Sequence, residues 1–313
     1  MNIKNILICG GGLMGKNIAF VMTQNPAYQV SVYDLYPTDV FAGIRTSTKQ
    51  LVERGVITEA ELEERLSRIE FTNDIDSELV SRADLVIEAV FEDMKIKRET
   101  FAKLEARCRP DCIFCTNSSV MSPSEISRDL KYRERFVGTH FWNPGHLIPL
   151  VEVVKSDASS DEVAQTVIDV LCSAGKKAVL CKKDVPGFIA NRLQHAILRE
   201  AVYMIETGIC DARDIDSALT YSFMPRYTSI GFFEHQDNAG LDMVLSIDDY
   251  LFPDLCTAQE AQDFIRSRCE KGELGIKTGK GIYDWEGVDL AEFRKRAAAP
   301  YLTFFNWDLP GEE

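Results

Sequence analysis

"IKNILICGGGLMGKNIAFVMTQNPAYQVSVYD", Ile3 to Asp34, contains an apolar run, a glycine-rich turn, a helical period and a second apolar run. Ile3–Cys9 reads as a buried strand, Met14–Gln24 has helical spacing, and Gln29–Asp34 reads as a second strand. The turn Gly10-Gly11-Gly12-Leu13-Met14-Gly15 fits G-x-G-x-x-G, and Ala19 continues the small-residue spacing. A lone match is weak, but this one follows a strand, opens a helix, and precedes a strand ending in an acid about 20 residues on. Gly10 permits the tight turn, Gly12 lets a pyrophosphate approach the backbone, and Gly15 lets helix pack on strand. Leu13 and Met14 open the helix, whose free N–H groups and positive dipole end attract phosphate. Asp34 would accept hydrogen bonds from an adenosine ribose and repel a 2′-phosphate, so NAD is favoured over NADP. FAD shares the fingerprint and is the main competitor.

The same alternation continues outward. Ile69–Thr72, Leu85–Val90, Cys112–Thr116, Phe136–Phe141, Val151–Val154 and Ala178–Cys181 read as strands, the pattern of a doubly wound parallel sheet. Thr38–Arg54 and Thr58–Ser67 read as charged amphipathic helices joined at Gly55, a helical hairpin inserted near 38–68. At Lys183-Asp184-Val185-Pro186-Gly187 the texture changes to a long helical run, Phe188–Glu206, and then Asp211–Leu219 with an aspartate cap. The expected class is therefore α/β: a Rossmann-type sheet domain over 1–183, then a smaller all-α domain over 184–313 for substrate and dimerisation. The tail after Trp285 is weakly patterned. Its apolar patch, Tyr301–Trp307, is expected to cover a partner subunit or the other domain.

The chain has 313 residues, more than one hydrophobic core usually serves, and its 45% hydrophobic and 27% charged content is that of a globular protein. A net charge of −14 repels nucleic acid and anionic membrane over most of the surface. No signal-peptide pattern and no apolar stretch approaching roughly 20 residues is present. The nine scattered cysteines are an odd number and read as reduced thiols, so the expected compartment is the cytoplasm. Cys108, Cys112 and Cys115 could be read as metal ligands, but no fourth ligand lies nearby and two of them fall in a strand pattern, so no metal is expected.

Beside a dinucleotide, the chemistry to look for is hydride transfer. A hydride leaves an alcohol carbon only as the hydroxyl proton is removed, which requires a base titrating near neutrality and donors around the oxygen. Of the four histidines, His140 ends a strand of the sheet domain, where open α/β sheets place ligands. Glu152 begins the next apolar run, and neighbouring strands could bring it to the second ring nitrogen. His146, His195 and His235 read as structural or surface residues. A His140–His146 metal pair fails because Pro144 and Gly145 break any helical face and nothing completes the set.

"GGGLMG", "IEAVFEDMKIKRETFAKLE", "TNSS", "GTHFWNP", "LVEVV", "DVPGFIANRL" and "GIKTGKGIYDW" occur in this order from Ile3 to about Trp285. The sequence resembles the 3-hydroxyacyl-CoA dehydrogenase family. The resemblance implies His140 as general base, Glu152 as its orienting partner, Ser119 as a hydroxyl on the reacting oxygen and Asn191 as a further positioning amide. It also implies that Glu92, Lys97 and Asn117 lie along the nicotinamide ribose and ring of NAD, and that the protein forms a homodimer. Ser119 could instead cap a loop, and Lys97 and Glu92 could be solvated residues at a charged helix start.

Acyl-CoA members carry a "YPMGPFELxDxxGLD"-like stretch where this chain has "RYTSIGFFEHQDNAGLD", Arg226 to Asp242. That form is more similar to the lambda-crystallin and gulonate dehydrogenase branch, whose substrates are small polar hydroxy acids. The basic residues of the 38–68 hairpin, which helps hold CoA in acyl-CoA members, are interleaved here with glutamates. The substrate is therefore either a 3-hydroxyacyl-CoA or a small hydroxy acid, with Arg226 the candidate partner of a substrate carboxylate. The alternatives are a non-catalytic NAD-binding protein and a 6-phosphogluconate or hydroxyisobutyrate type dehydrogenase. The latter would need a lysine on the long helix, and Phe188–Glu206 has none.

Overall fold

The computed structural model describes residues 2–303. Two compact units are present, one running to Ala190 and including Pro300–Thr303, the other running from Asn191 to Ala299.

The first unit is built in chain order from β1 (Asn5–Cys9), α1 (Leu13–Met22), β2 (Gln29–Tyr33), α2 (Val40–Glu53), α3 (Glu59–Ser67), β3 (Ile69–Thr72), α4 (Glu78–Ser81) and β4 (Leu85–Glu88). There follow α5 (Met94–Glu105), β5 (Ile113–Thr116), α6 (Pro123–Ser127), β6 (Phe136–Phe141), β7 (Leu150–Lys155), α7 (Asp161–Ser173) and β8 (Lys177–Cys181). The eight strands form one sheet in the order β3-β2-β1-β4-β5-β6-β7-β8. Central strands such as Ile6–Cys9 and Leu85–Glu88 are buried throughout, because helices cover both faces and the backbone polar groups are used up in the ladder. Around Phe101 of α5, the rings of Phe114 and Phe136 pack edge-on at 6.0 and 4.8 Å.

The sheet is not wholly parallel. β6 pairs antiparallel with β7, while β8 runs parallel to β7. The link from Trp142 to Pro149 is too short for a parallel crossover, which takes a dozen residues or more, so the chain must double back.

Past β8 the chain stays with the sheet to Ala190, through a turn in which Gly187 (φ 75°) and Phe188 (φ 49°) are both left-handed. The conformation disfavours a bulky residue at Phe188, and burying its ring offsets the cost. The second unit is helical: most of α8 (Ala190–Glu206), then α9 (Ala212–Tyr221), α10 (Phe232–Ala239), α11 (Leu241–Leu251), α12 (Asp263–Glu270) and the greater part of α13 (Leu290–Thr303). The tail is thus more regular than its sequence pattern indicated: α13 forms in spite of Pro300 within it. The apolar patch from residue 304 onward lies outside the described residues. Among the described residues, no helix is long and apolar enough to cross a membrane.

Candidate active site

The fingerprint turn joins β1 to α1, and its glycines do three different jobs. Gly10 has φ 107°, and a Cβ there would lie 2.7 Å from the Ala89 carbonyl oxygen. A Cβ on Gly15 would lie 1.7 Å from the Gly10 carbonyl oxygen, so only glycine lets α1 approach the strand. Gly12 differs: a Cβ there would meet nothing within 4 Å, which leaves the space over its backbone open to a ligand at the helix N-terminus. Beside the turn is a cavity of about 400 Å³ lined by Gly10, Leu13, Tyr33, Asp34, Tyr36 and Ile96, among others. Asp34 holds its rim, one oxygen accepting from Gly11 N–H at 2.6 Å and the other from Tyr36 N–H at 3.0 Å. An ionised carboxylate has about four acceptor positions, so capacity remains for ribose hydroxyls. Glycine edge, open helix end, acid and apolar walls together fit an adenine dinucleotide.

Across the point where strand order reverses, between β1 and β4, lies a buried polar chain. Lys97 is 1% exposed and not solvated; its Nζ donates to Glu88 Oε1 at 2.7 Å and pairs with Glu92 Oε2 at 3.2 Å. Glu88, wholly buried at the end of β4, also accepts from Val90 N–H at 2.8 Å and from the Thr116 hydroxyl at 2.7 Å. Burial pushes the Glu88 carboxyl upward, and Lys97 and the other donors oppose it. Glu92 Oε1 accepts from the Ser118 hydroxyl and, at 3.2 Å, from Ser119 N–H. Asn117 ties the end of β5 to β6 by accepting from Phe141 N–H at 3.0 Å. Ser119 is exposed, and among the described residues its hydroxyl makes no hydrogen bond to His140.

His140 and Glu152 face each other in register across the antiparallel β6–β7 pair. His140 Nδ1 lies 2.8 Å from Glu152 Oε2, with the ring 4% exposed and the carboxylate fully buried. Trp142 Nε1 reaches the same oxygen at 3.3 Å, and Oε1 accepts from Ile189 N–H at 2.8 Å and Ala190 N–H at 2.9 Å. Those last donors are the N-terminal groups of α8, which the left-handed turn at Gly187–Phe188 delivers to the carboxylate. Burial acts to raise the Glu152 pKa, but the hydrogen bonds from His140, Ala190 and Ile189 outweigh it and leave the carboxyl below its usual range. A carboxylate so held makes Nδ1 of a neutral imidazole the donor, which leaves Nε2 as the free base. Phe188 packs 5.7 Å from the imidazole, between ring centroids.

His146, on the loop between these strands, is built differently. Burial and the neighbouring Lys176 bring its imidazole down to about 4, and its Nδ1 has no partner. Lys176 donates to the carbonyls of Gly145 at 2.6 Å and Ile148 at 2.8 Å, and burial brings its ammonium down to about 7. In the second unit, Asn191 lies near the start of α8, and Arg226 Nη1 donates to His235 Nε2 at 2.7 Å. Cys108 and Cys112 are buried core residues.

Glu88, Ser118, Trp142 and the backbone of Ile189–Ala190 were not singled out from sequence. For Glu88 a signal existed: an acid inside the apolar run "LVIEAV" must find a buried donor.

The family model for the NAD binding domain of 3-hydroxyacyl-CoA dehydrogenase matches residues 5–185, and that for its C-terminal domain matches residues 187–285. The chain belongs to the 3-hydroxyacyl-CoA dehydrogenase family. It is an NAD-dependent oxidoreductase acting on a CH–OH group. Similar curated proteins include a 5-formyl-3-hydroxy-2-methylpyridine 4-carboxylate 5-dehydrogenase of Mesorhizobium japonicum, 32% identical over 285 residues and 90% of each chain. A probable 3-hydroxybutyryl-CoA dehydrogenase of Bacillus subtilis is 33% identical over 290 residues, 91% of this chain and 99% of the other. Among solved structures, the NAD+ dependent dismutase 5-formyl-3-hydroxy-2-methylpyridine 4-carboxylic acid 5-dehydrogenase matches with TM-score 0.86 at 29% identity, over 97% of this chain and 98% of that one. Escherichia coli 3-hydroxybutyryl-CoA dehydrogenase matches with TM-score 0.75 at 31% identity, over 92% of this chain and 60% of that one.

Proposed function

We propose that this dehydrogenase oxidises the β-hydroxyl of a small free hydroxy acid, with His140 as general base and Glu152 as its orienting partner. The observation that carries the mechanism is the buried 2.8 Å His140–Glu152 contact at the carboxyl end of β6, with Glu152 held by three further donors. NAD, held by Gly10, Gly12, Leu13, Met14, Gly15 and Asp34 with Glu92, Lys97 and Asn117 on the nicotinamide side, supplies the hydride acceptor. His140 Nε2 takes the hydroxyl proton, Glu152 stabilises the imidazolium, and Ser119 and Asn191 donate toward the developing carbonyl oxygen.

The charges of the α2–α3 hairpin favour a free acid over a CoA thioester. Arg45 forms a two-point pair with Glu63 at 2.8 and 2.9 Å, Lys49 pairs with Glu53 at 3.5 Å, and Arg68 pairs with Glu64 at 2.9 Å. Arg65 lies buried 3.7 Å over the Phe20 ring. These cations already have partners, which weakens the hairpin as a CoA phosphate site. Arg226 points its guanidinium at His235 Nε2 and has no carboxylate partner among the described residues. We assign it to a substrate carboxylate. One activity among the similar proteins, that of the 5-formyl-3-hydroxy-2-methylpyridine 4-carboxylate 5-dehydrogenase, also has a carboxylate in its substrate's name.

The apolar side chains left exposed on the second unit, among them Leu193, Leu198, Phe233, Leu245 and Tyr250, suit a homodimer interface, and nine cysteines with no disulfide among them suit a reducing, cytoplasmic setting. The experiment is a turnover screen for NADH formation across free 3-hydroxy acids and 3-hydroxybutyryl-CoA. Turnover of free acids, with Arg226→Lys raising their KM, is expected. Preference for the thioester would overturn the substrate assignment, and silence across the panel with intact NADH binding would favour a non-catalytic NAD protein.

A further inference from the structure

In the chain Thr116–Glu88–Lys97–Glu92–Ser118, two carboxylates share one ammonium. Every hydrogen-bonded neighbour of the Glu88 oxygens is a donor: Lys97, Val90 N–H and the Thr116 hydroxyl. The Glu92 oxygens receive Lys97, Ser119 N–H and the Ser118 hydroxyl. Both side chains are therefore placed as acceptors, and the group holds two carboxylates against one ammonium. Glu88, Lys97, Thr116 and Ser118 are at most 2% exposed, so little water screens it; Glu92 is 41% exposed at its side chain and forms the outer end. The group lies at the carboxyl ends of β4 and β5, opposite Asp34 across the reversal of strand order. The two halves of a dinucleotide straddle such a reversal. With the adenosine half assigned to the cavity beside Asp34, the nicotinamide half belongs on this side, where a substrate can also reach His140.

Oxidised nicotinamide carries a positive ring charge, and reduced nicotinamide carries none. We propose that the Glu88–Lys97–Glu92 group discriminates between the oxidation states of the cofactor, strengthening NAD+ relative to NADH and so favouring alcohol oxidation. The inference rests on the cofactor placement given under the proposed function. Glu88 acts here as a positioning residue at one remove, through Lys97, while Glu92 is the outer member closest to solvent. A scaffold that only shaped the Ser118–Ser119 loop would influence both oxidation states alike.

The test is the dissociation constants of NAD+, NADH and ADP-ribose for wild type, Glu88→Gln and Glu92→Gln, measured by calorimetry or fluorescence without substrate. Each variant removes one of the two carboxylates. The affinity ratio of NAD+ to NADH should shift toward NADH on the order of tenfold, equivalent to about 30 mV for a two-electron couple. ADP-ribose, which keeps the terminal ribose but lacks the charged ring, should weaken no more than NADH does. Because Glu92 is half exposed, its variant keeps the test open if Glu88→Gln does not fold. An unchanged ratio in Glu92→Gln, with both forms of the cofactor weakened together, would overturn the proposal and leave the cofactor site intact. Failure of the wild type to bind either form would sink the cofactor reading itself.

Discussion

Two histidines six positions apart in "GTHFWNPGHL" have opposite physical characters. His140 faces a buried, multiply hydrogen-bonded carboxylate, which prepares it to accept a proton. His146 is half-buried beside a lysine with its Nδ1 unpartnered, which prepares it to refuse one. The folded protein therefore binds a proton at His146 less readily than the unfolded chain does. Stability from this residue is complete above about 6.5 and is lost as pH falls toward about 4, by roughly 2–3 kcal/mol. His146→Gln should flatten that part of the acid limb of a urea-unfolding series while leaving turnover near wild type; an unchanged pH slope would contradict the assignment. Glu152→Gln should lower kcat by about 10²-fold or more without weakening NADH binding, because in the proposed mechanism it removes the group that orients the base. The identities of His140 and Glu152 were legible from their residue types, strand ends and family resemblance. Lys97 was harder: a lysine in "EDMKIKRE" looks solvated until Glu88, nine positions earlier, is seen to need a buried cation.

At the level of elements, the fingerprint turn separates folding from binding. Gly15→Ala should lower the melting temperature markedly, since its Cβ would sit on the Gly10 carbonyl. Gly12→Val points into open space and should keep near-normal stability while losing most NAD affinity, read by thermal unfolding and NADH titration. Equal damage to stability from both would contradict the separate roles given to them. The hairpin offers a check on local structure: Thr58 caps α3 by accepting from Glu61 N–H at 3.1 Å while the Glu61 carboxylate accepts from Thr58 N–H at 2.7 Å. Thr58→Ala should cost about 1 kcal/mol by chemical denaturation. All eight strands were legible because each is a short apolar run bounded by turns or helical periods. The antiparallel sense of β7 was not read from composition, although the short link from Trp142 to Pro149 contained it. The helix at Leu290–Thr303 escaped because its apolar residues do not form a stripe and Pro300 interrupts it.

For the whole molecule, the proposed site reconciles a net charge of −14 with an anionic cofactor through a local device, the open helix end over Gly12. Ligand binding should consequently stabilise the fold by mass action, by about 2.7 kcal/mol at a free NAD concentration of a hundred times Kd. Thermal unfolding with and without NAD should show this shift in the wild type, and Gly12→Val should lose it. The substrate class was the least legible property, because a hydroxy acid and its thioester ask the same chemistry of His140 and differ only in distant charges. The central claim, that His140 removes the substrate proton, is tested most directly by comparing NADH formation by wild type and His140→Gln on the best free hydroxy acid, alongside NADH titrations. The predicted result is a loss of kcat of about 10²–10⁴-fold with NADH affinity unchanged. Turnover in His140→Gln within a few-fold of wild type would contradict the account.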